Sequence, residues 1–90
     1  MIEKLRELAC KHFGVTMEVL NSCNRKADCV YARIAISKAL HSKGYNVYEI
    51  ADLINRKRST ILKHLCSFDD RYRFDYDFKF KYDCFIKEVE

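Results

Sequence analysis

The residues whose types and spacing point to chemistry lie together between Asn55 and Lys63. Arg56, Lys57 and Arg58 are consecutive cations, Ser59 and Thr60 follow with hydroxyls, and Lys63 adds a further cation one turn on. Read on a helix, this set crowds the amino end with positive charge and includes no acid. Such an end opposes its own macrodipole unless an anion occupies it, and backbone N–H groups at a helix start are ready donors to phosphate. The chemistry is therefore recognition of a polyanion and not catalysis. Glu49, Asp52 and His64 fall on different faces, so no nucleophile, base and orienter can be assembled, and an enzyme is not expected.

Two helices must position these residues. Val47, Ile50, Ala51 and Ile54 recur at i, i+3, i+4 and i+7, one apolar helical face. Asn46 before them, with Glu49 three residues on, reads as a capping box. The apolar run stops at Asn55-Arg56-Lys57-Arg58. A second helix follows with Ile61, Leu62, Leu65 and Phe68 inward and Arg56 to Thr60 in its first turn and outer face. This is the sequence form of a helix-turn-helix, whose second helix enters the major groove by its amino end. The competing interpretation is a solvated basic face between two core helices.

The charge distribution favours the polyanion. The 90 residues carry a net +4, but Asn24 to His64 carries +6, from nine basic and three acidic residues, while Leu65 to Glu90 carries −2. Ninety residues predict one domain spanning 1–90. The lack of proline and the presence of only two glycines predict an all-α fold, a small bundle of five to six helices joined by short turns. No apolar run approaches the ~20 residues of a membrane span. The start lacks a signal-peptide core, so a cytoplasmic, nucleoid-associated protein is expected. Five cysteines, odd in number and without CxxC spacing, suggest neither a disulfide framework nor a zinc site, and no cofactor is expected.

Upstream, Ile2, Leu5, Leu8, Ala9 and Phe13 predict a first helix over about 2–12, stopped by Gly14. Thr16 caps a short helix over about 17–22, with Met17 and Leu20 inward. Asn24-Arg25-Lys26 is a basic turn. A long helix over about 27–43 carries the stripe Ala32, Ala35, Ile36, Ala39 and Leu40 and ends at Gly44. Downstream, the second helix of the pair is expected to end near Arg71, with a break over Arg73 to Asp75. In the tail, Tyr72, Phe74, Tyr76, Phe78, Phe80 and Tyr82 alternate with charges as a strand would. Phe78, Tyr82, Phe85, Ile86 and Val89 instead fit a helical face. A lone strand would have no partner, so a final helix over about 76–88 is predicted. The aromatic row as a single-strand stacking platform is disfavoured by its interleaved acids.

The run from His12 to Leu40 followed by Tyr48 to Leu65 resembles the C-terminal DNA-binding domain of the bacterial replication initiator DnaA. The residues that carry the resemblance are Phe13-Gly14-Val15, Leu20, Ser22, Arg25, Ala32-Arg33, Ile50-Ala51, Asn55-Arg56 and Ser59-Thr60-Ile61. The resemblance covers about residues 2–67. It implies a Trp-repressor-like all-helical domain that binds double-stranded DNA, with Arg25 in the minor groove and Lys57, Arg58, Ser59 and Thr60 at the major-groove signature. Together with Lys26, Arg33, Asn55, Arg56 and Lys63, these make the candidate DNA-binding set. Lys57-Arg58 stand where the family has Asp-His, and the turn after Ile50 is one residue shorter than its commonest form. No GxxxxGK[ST] phosphate loop occurs, so neither nucleotide binding nor ATP-driven assembly carries over. The expected role is a regulator or replication accessory. The alternative is a protein-interaction module that kept the fold and lost DNA binding, with the acidic, aromatic tail as its contact.

Overall fold

The computed structural model describes residues 2–21 and 27–89. Within them the chain forms α1 (Ile2–Phe13), α2 (Met17–Asn21), α3 (Ala27–Ser42), α4 (Val47–Leu53), α5 (Arg58–Phe74) and α6 (Tyr76–Val89), with no strand among the described residues. The all-α expectation is met. None of these helices is long and apolar enough to cross a membrane.

Helix α3 is the centre. It packs against each of the other five helices. Ala32, Ala35 and Ala39 are buried, and their short side chains let neighbouring backbones approach closely. Ile34, Ile36 and Leu40 are buried too, so the helix is apolar on nearly every side rather than on one stripe, as an enclosed helix must be. Two polar side chains share that interior. Ser37 Oγ donates to the Arg33 carbonyl at 2.8 Å, and Arg33 Nε donates to the Leu20 carbonyl at 3.1 Å, so neither is buried without a partner.

Helix boundaries follow local chemistry. Gly14 (φ +69°) and Gly44 (φ +99°) take the left-handed conformation just past α1 and α3. At α3 the Tyr45 and Gly44 amides donate back to the Leu40 and His41 carbonyls, both at 3.1 Å, the pairing of a Schellman motif. In α1, Leu5, Ala9 and Phe13 face inward as expected.

The tail resolves as a helix. Phe78, Tyr82 and Phe85 are buried, whereas Phe74, Tyr76 and Phe80 are exposed. The period-two row is thus split by the 3.6-residue period. The Phe78 ring centroid lies 5.8 Å from Phe13, 5.4 Å from Tyr31 and 5.8 Å from Phe68, which ties α1, α3, α5 and α6 into one aromatic cluster. One boundary is corrected. α5 runs to Phe74 instead of stopping near Arg71, and the break is the single residue Asp75.

Asp75 explains so short a corner. Its Oδ1 accepts the Phe78 amide at 3.1 Å, an N-cap bond for α6, while its own amide donates to the Arg71 carbonyl at 2.8 Å and closes α5. Its Oδ2 accepts the Tyr31 hydroxyl at 2.6 Å, which fastens the corner to α3. The Tyr31 and Phe78 bonds hold the carboxyl below its ordinary range. Asp75→Ala removes the cap and the tie together and is expected to lower the unfolding free energy by about 1–2 kcal/mol in urea titrations at pH 7. Asp75→Asn, which keeps an acceptor oxygen, should lose less.

Candidate nucleic-acid interface

The interface is built from α4, a sharp turn and the first half of α5. Asn46 Oδ1 accepts the Glu49 amide at 2.9 Å, and Glu49 Oε1 accepts the Asn46 amide at 3.1 Å, so the expected capping box is formed. Ile50, Ala51 and Ile54 then bury the inner face of α4. The helix ends in a second Schellman motif. The Arg56 amide donates to the Ala51 carbonyl at 2.9 Å and the Asn55 amide to the Asp52 carbonyl at 3.4 Å. Asn55 has φ +53°, the described non-glycine residue in the left-handed region. Asparagine is among the few side chains that visit it routinely, which explains its use where the chain must reverse within three residues.

Helix α5 therefore starts at Arg58, and Arg56 belongs with Asn55 to the turn, not to the first helical turn as the sequence suggested. Lys57 is the N-cap. Its side chain makes no capping hydrogen bond, since an ammonium has no acceptor, and the first turn contains no acid. The amino end of a 17-residue helix is thus left without a side-chain cap while Lys57 and Arg58 stand exposed around it.

Inside α5 the buried positions are Ile61, His64 and Phe68, with Leu65 partly buried. Leu62, expected inward, is 49 % exposed. The face that meets α3 is met at i, i+3, i+4 and i+7 from Ile61, and Leu62 lies about 100° away from it. It shares the outer face with Arg58, Ser59, Lys63 and Cys66, all exposed. The Arg58 guanidinium lies 4.5 Å from the ring centroid of Tyr48 on α4, and that ring is itself 64 % exposed. The contact aims Arg58 outward from the helix start.

Beside this outer face a groove runs between α3 and α5. Val30 and Arg33 line one wall, Asn55, Arg56 and Lys57 its end, and Thr60, Lys63 and His64 the other wall. Arg56 bridges it: Nη1 donates to the Asn55 carbonyl at 2.9 Å and Nη2 to the Leu20 carbonyl at 3.3 Å. Arg33 is only 6 % exposed and donates to the same Leu20 carbonyl. Of the candidate DNA-binding set, Arg33 is therefore the member held inside the fold, unlike the exposed Lys57 and Arg58. Enclosure of α3 holds this guanidinium within the α3 wall of the groove, where it closes the carboxyl end of α2. Arg25 and Lys26 lie outside the described residues. The structure brings together Asn55, Arg56, Lys57, Arg58, Ser59, Thr60 and Lys63 around one helix start.

Two participants were missed in the sequence. Tyr48 falls off the apolar face of α4, and that offset was the available signal. His64 falls at i+3 from Ile61 and i−4 from Phe68, a core spacing that its polar type concealed.

Residues 30–66 match a family model described as a helix-turn-helix domain, and no solved structure matches the chain. The matched segment opens in α3, contains α4 and the turn, and closes within α5. A helix-turn-helix domain is found here. Its second helix is α5, and the uncapped basic amino end is the end that such domains direct at DNA.

His64 reports on the charge of this site. Burial, then the nearby Arg33 and Arg56 guanidiniums, lower its pKa from the ordinary 6.5 to about 4. It is neutral at pH 7, and its Nε2 is buried without a hydrogen-bond partner among the described residues. Because the folded pKa lies below the unfolded one, the unfolded chain binds the proton more tightly. The stability tied to neutral His64 is complete above about pH 6.5 and falls as pH drops towards 4, with a limiting loss of about 3 kcal/mol. Urea melts of His64→Leu and wild type between pH 7 and 4.5 should show a shallower pH dependence in the variant.

Proposed function

We propose that this protein binds double-stranded DNA in a sequence-specific way, with α5 entering the major groove by its amino end. The observation that carries the reading is that end itself: an uncapped helix start ringed by Lys57 and Arg58 within a helix-turn-helix domain. Phosphate oxygens supply the acceptors that Lys57 cannot, and they do so where the macrodipole is positive. Lys57 and Lys63 contact phosphate. Arg56 borders the same path but is committed to two carbonyls. Arg58 reads a base, because the Tyr48 ring beneath it orients its planar fork. Ser59 and the exposed Leu62 complete the reading face, a hydroxyl for a base edge and an apolar group for a thymine methyl.

The resemblance to the initiator's DNA-binding domain supports a second contact, Arg25 and Lys26 in the adjacent minor groove, and a single domain over residues 1–90. It also supports a role as a regulator or replication accessory in the cytoplasm, acting without ATPase activity. Lys57-Arg58 offer donors only, so the preferred sequence differs from one read by an Asp-His pair.

Selection from random duplex DNA followed by anisotropy titration tests the reading. With about six phosphates neutralised, a log–log plot of affinity against salt should have a slope of about −5. A slope near zero, or no binding at low salt, would refute it.

Arg58→Ala separates reading from attraction. If the guanidinium bonds guanine O6 and N7, the substitution costs about 1–3 kcal/mol at one base pair and relaxes preference there. A uniform loss across all duplexes would place Arg58 on phosphate instead. Tyr48→Ala should produce a weaker version of the same local loss.

A further inference from the structure

The corner between α5 and α6 exposes three aromatic rings within seven residues: Phe74 at 79 %, Tyr76 at 84 % and Phe80 at 64 %. Single exposed apolar side chains are ordinary, but three adjacent rings are the kind of surface that another molecule covers. Tyr76 stands as a ridge between two clefts, one bordered by Asp70 and Phe74, the other by Lys79, Phe80 and Asp83.

Charge identifies what fits. Most charges around the corner are held within the chain. Asp75 accepts from Tyr31, Asp83 accepts from Tyr72 at 2.7 Å, and Asp77 pairs with Lys81 at 3.2 Å. Asp70 and Arg73 are exposed on the face that carries Phe74, and among the described residues neither belongs to an ion pair. A nucleic acid or an anionic lipid surface would meet Asp69, Asp70 and Asp77 unfavourably. A two-fold axis beside Phe74 satisfies both signs at once: Asp70 of each copy faces Arg73 of the other, as an isologous interface requires.

We infer that this aromatic corner is the contact surface for a second copy of the chain. The inference goes beyond DNA binding and does not depend on it. The 17 residues of α5 hold the corner about 24 Å from Arg58, so both surfaces can be occupied together. Full coverage of three such rings on each copy, at about 150–250 Å² per ring, gives roughly 1,000 Å² in total, the lower end of specific interfaces. The dimer is accordingly weak, with a dissociation constant in the micromolar range or above. On DNA it would present two α5 starts to two half-sites.

Sedimentation equilibrium of the intact chain without DNA, from about micromolar to millimolar concentration, tests this. The expected result is a mass rising from 10.7 kDa towards twice that value. Phe74→Ser with Phe80→Ser, both at exposed positions and checked by circular dichroism, should weaken association at least tenfold. Asp70→Arg and Arg73→Asp should each weaken it when alone, because like charges then face each other, and mixing the two variant chains should restore a mixed dimer. A mass of 10.7 kDa at every concentration overturns the inference. So does a dimer indifferent to the serine substitutions, or two charge variants that fail to rescue each other. Because DNA is absent throughout, none of these outcomes bears on the helix-turn-helix reading, which a monomer can satisfy at a half-site.

Discussion

Enclosure of α3 is the constraint on which the other features depend. A helix covered on all sides must place small residues where neighbours come closest and must satisfy every polar group that it carries inward. Ala32, Ala35 and Ala39 meet the first demand, and the bonds of Ser37 and Arg33 meet the second. With α3 fixed, α1 and α6 are held on it through Phe13, Phe78 and Phe85, and α5 through Ile61, His64 and Phe68. The outer face of α5 then has one orientation open to it, and the cations at its start are displayed because its inner face is committed.

That start combines two costs in the isolated protein. A missing N-cap is worth about 1 kcal/mol, and cations at a helix amino end add a smaller penalty. A sequence selected for stability alone would place serine or aspartate at position 57. Local unfavourability of this kind, inside an otherwise consistent structure, marks where function competes with stability. The Schellman turn at Asn55 shows the same economy, since it reverses the chain without glycine at the point where a flexible residue would blur the angle between α4 and α5.

Much of this was legible in the residues. The capping box at Asn46, the glycine stops and the helical phase of Phe78, Tyr82 and Phe85 follow from patterns local to a few turns. What escaped depends on distant partners. Arg33 looks like one more cation on a basic segment, and only the proximity of the α2 carboxyl end turns it inward. Leu62 looks like core because hydrophobicity was counted without knowing which side of α5 α3 would occupy. The corner at Asp75 was drawn too wide because one residue closes α5 through its amide and caps α6 through its carboxylate, a position fastened by Tyr31, 44 residues away.

The shared acceptor at Leu20 has a consequence for how this surface can change. Guanidiniums from α3 and from the turn converge on one carbonyl oxygen. If either is withdrawn, the other still donates to the Leu20 carbonyl at the end of α2. The pair is therefore redundant, and the energies of losing each cannot be summed to give the energy of losing both. Redundancy of this kind loosens selection on each position separately while tightening it on the two jointly. Arg56 can drift towards new contacts as long as Arg33 stays, and α2 keeps its anchor through the change.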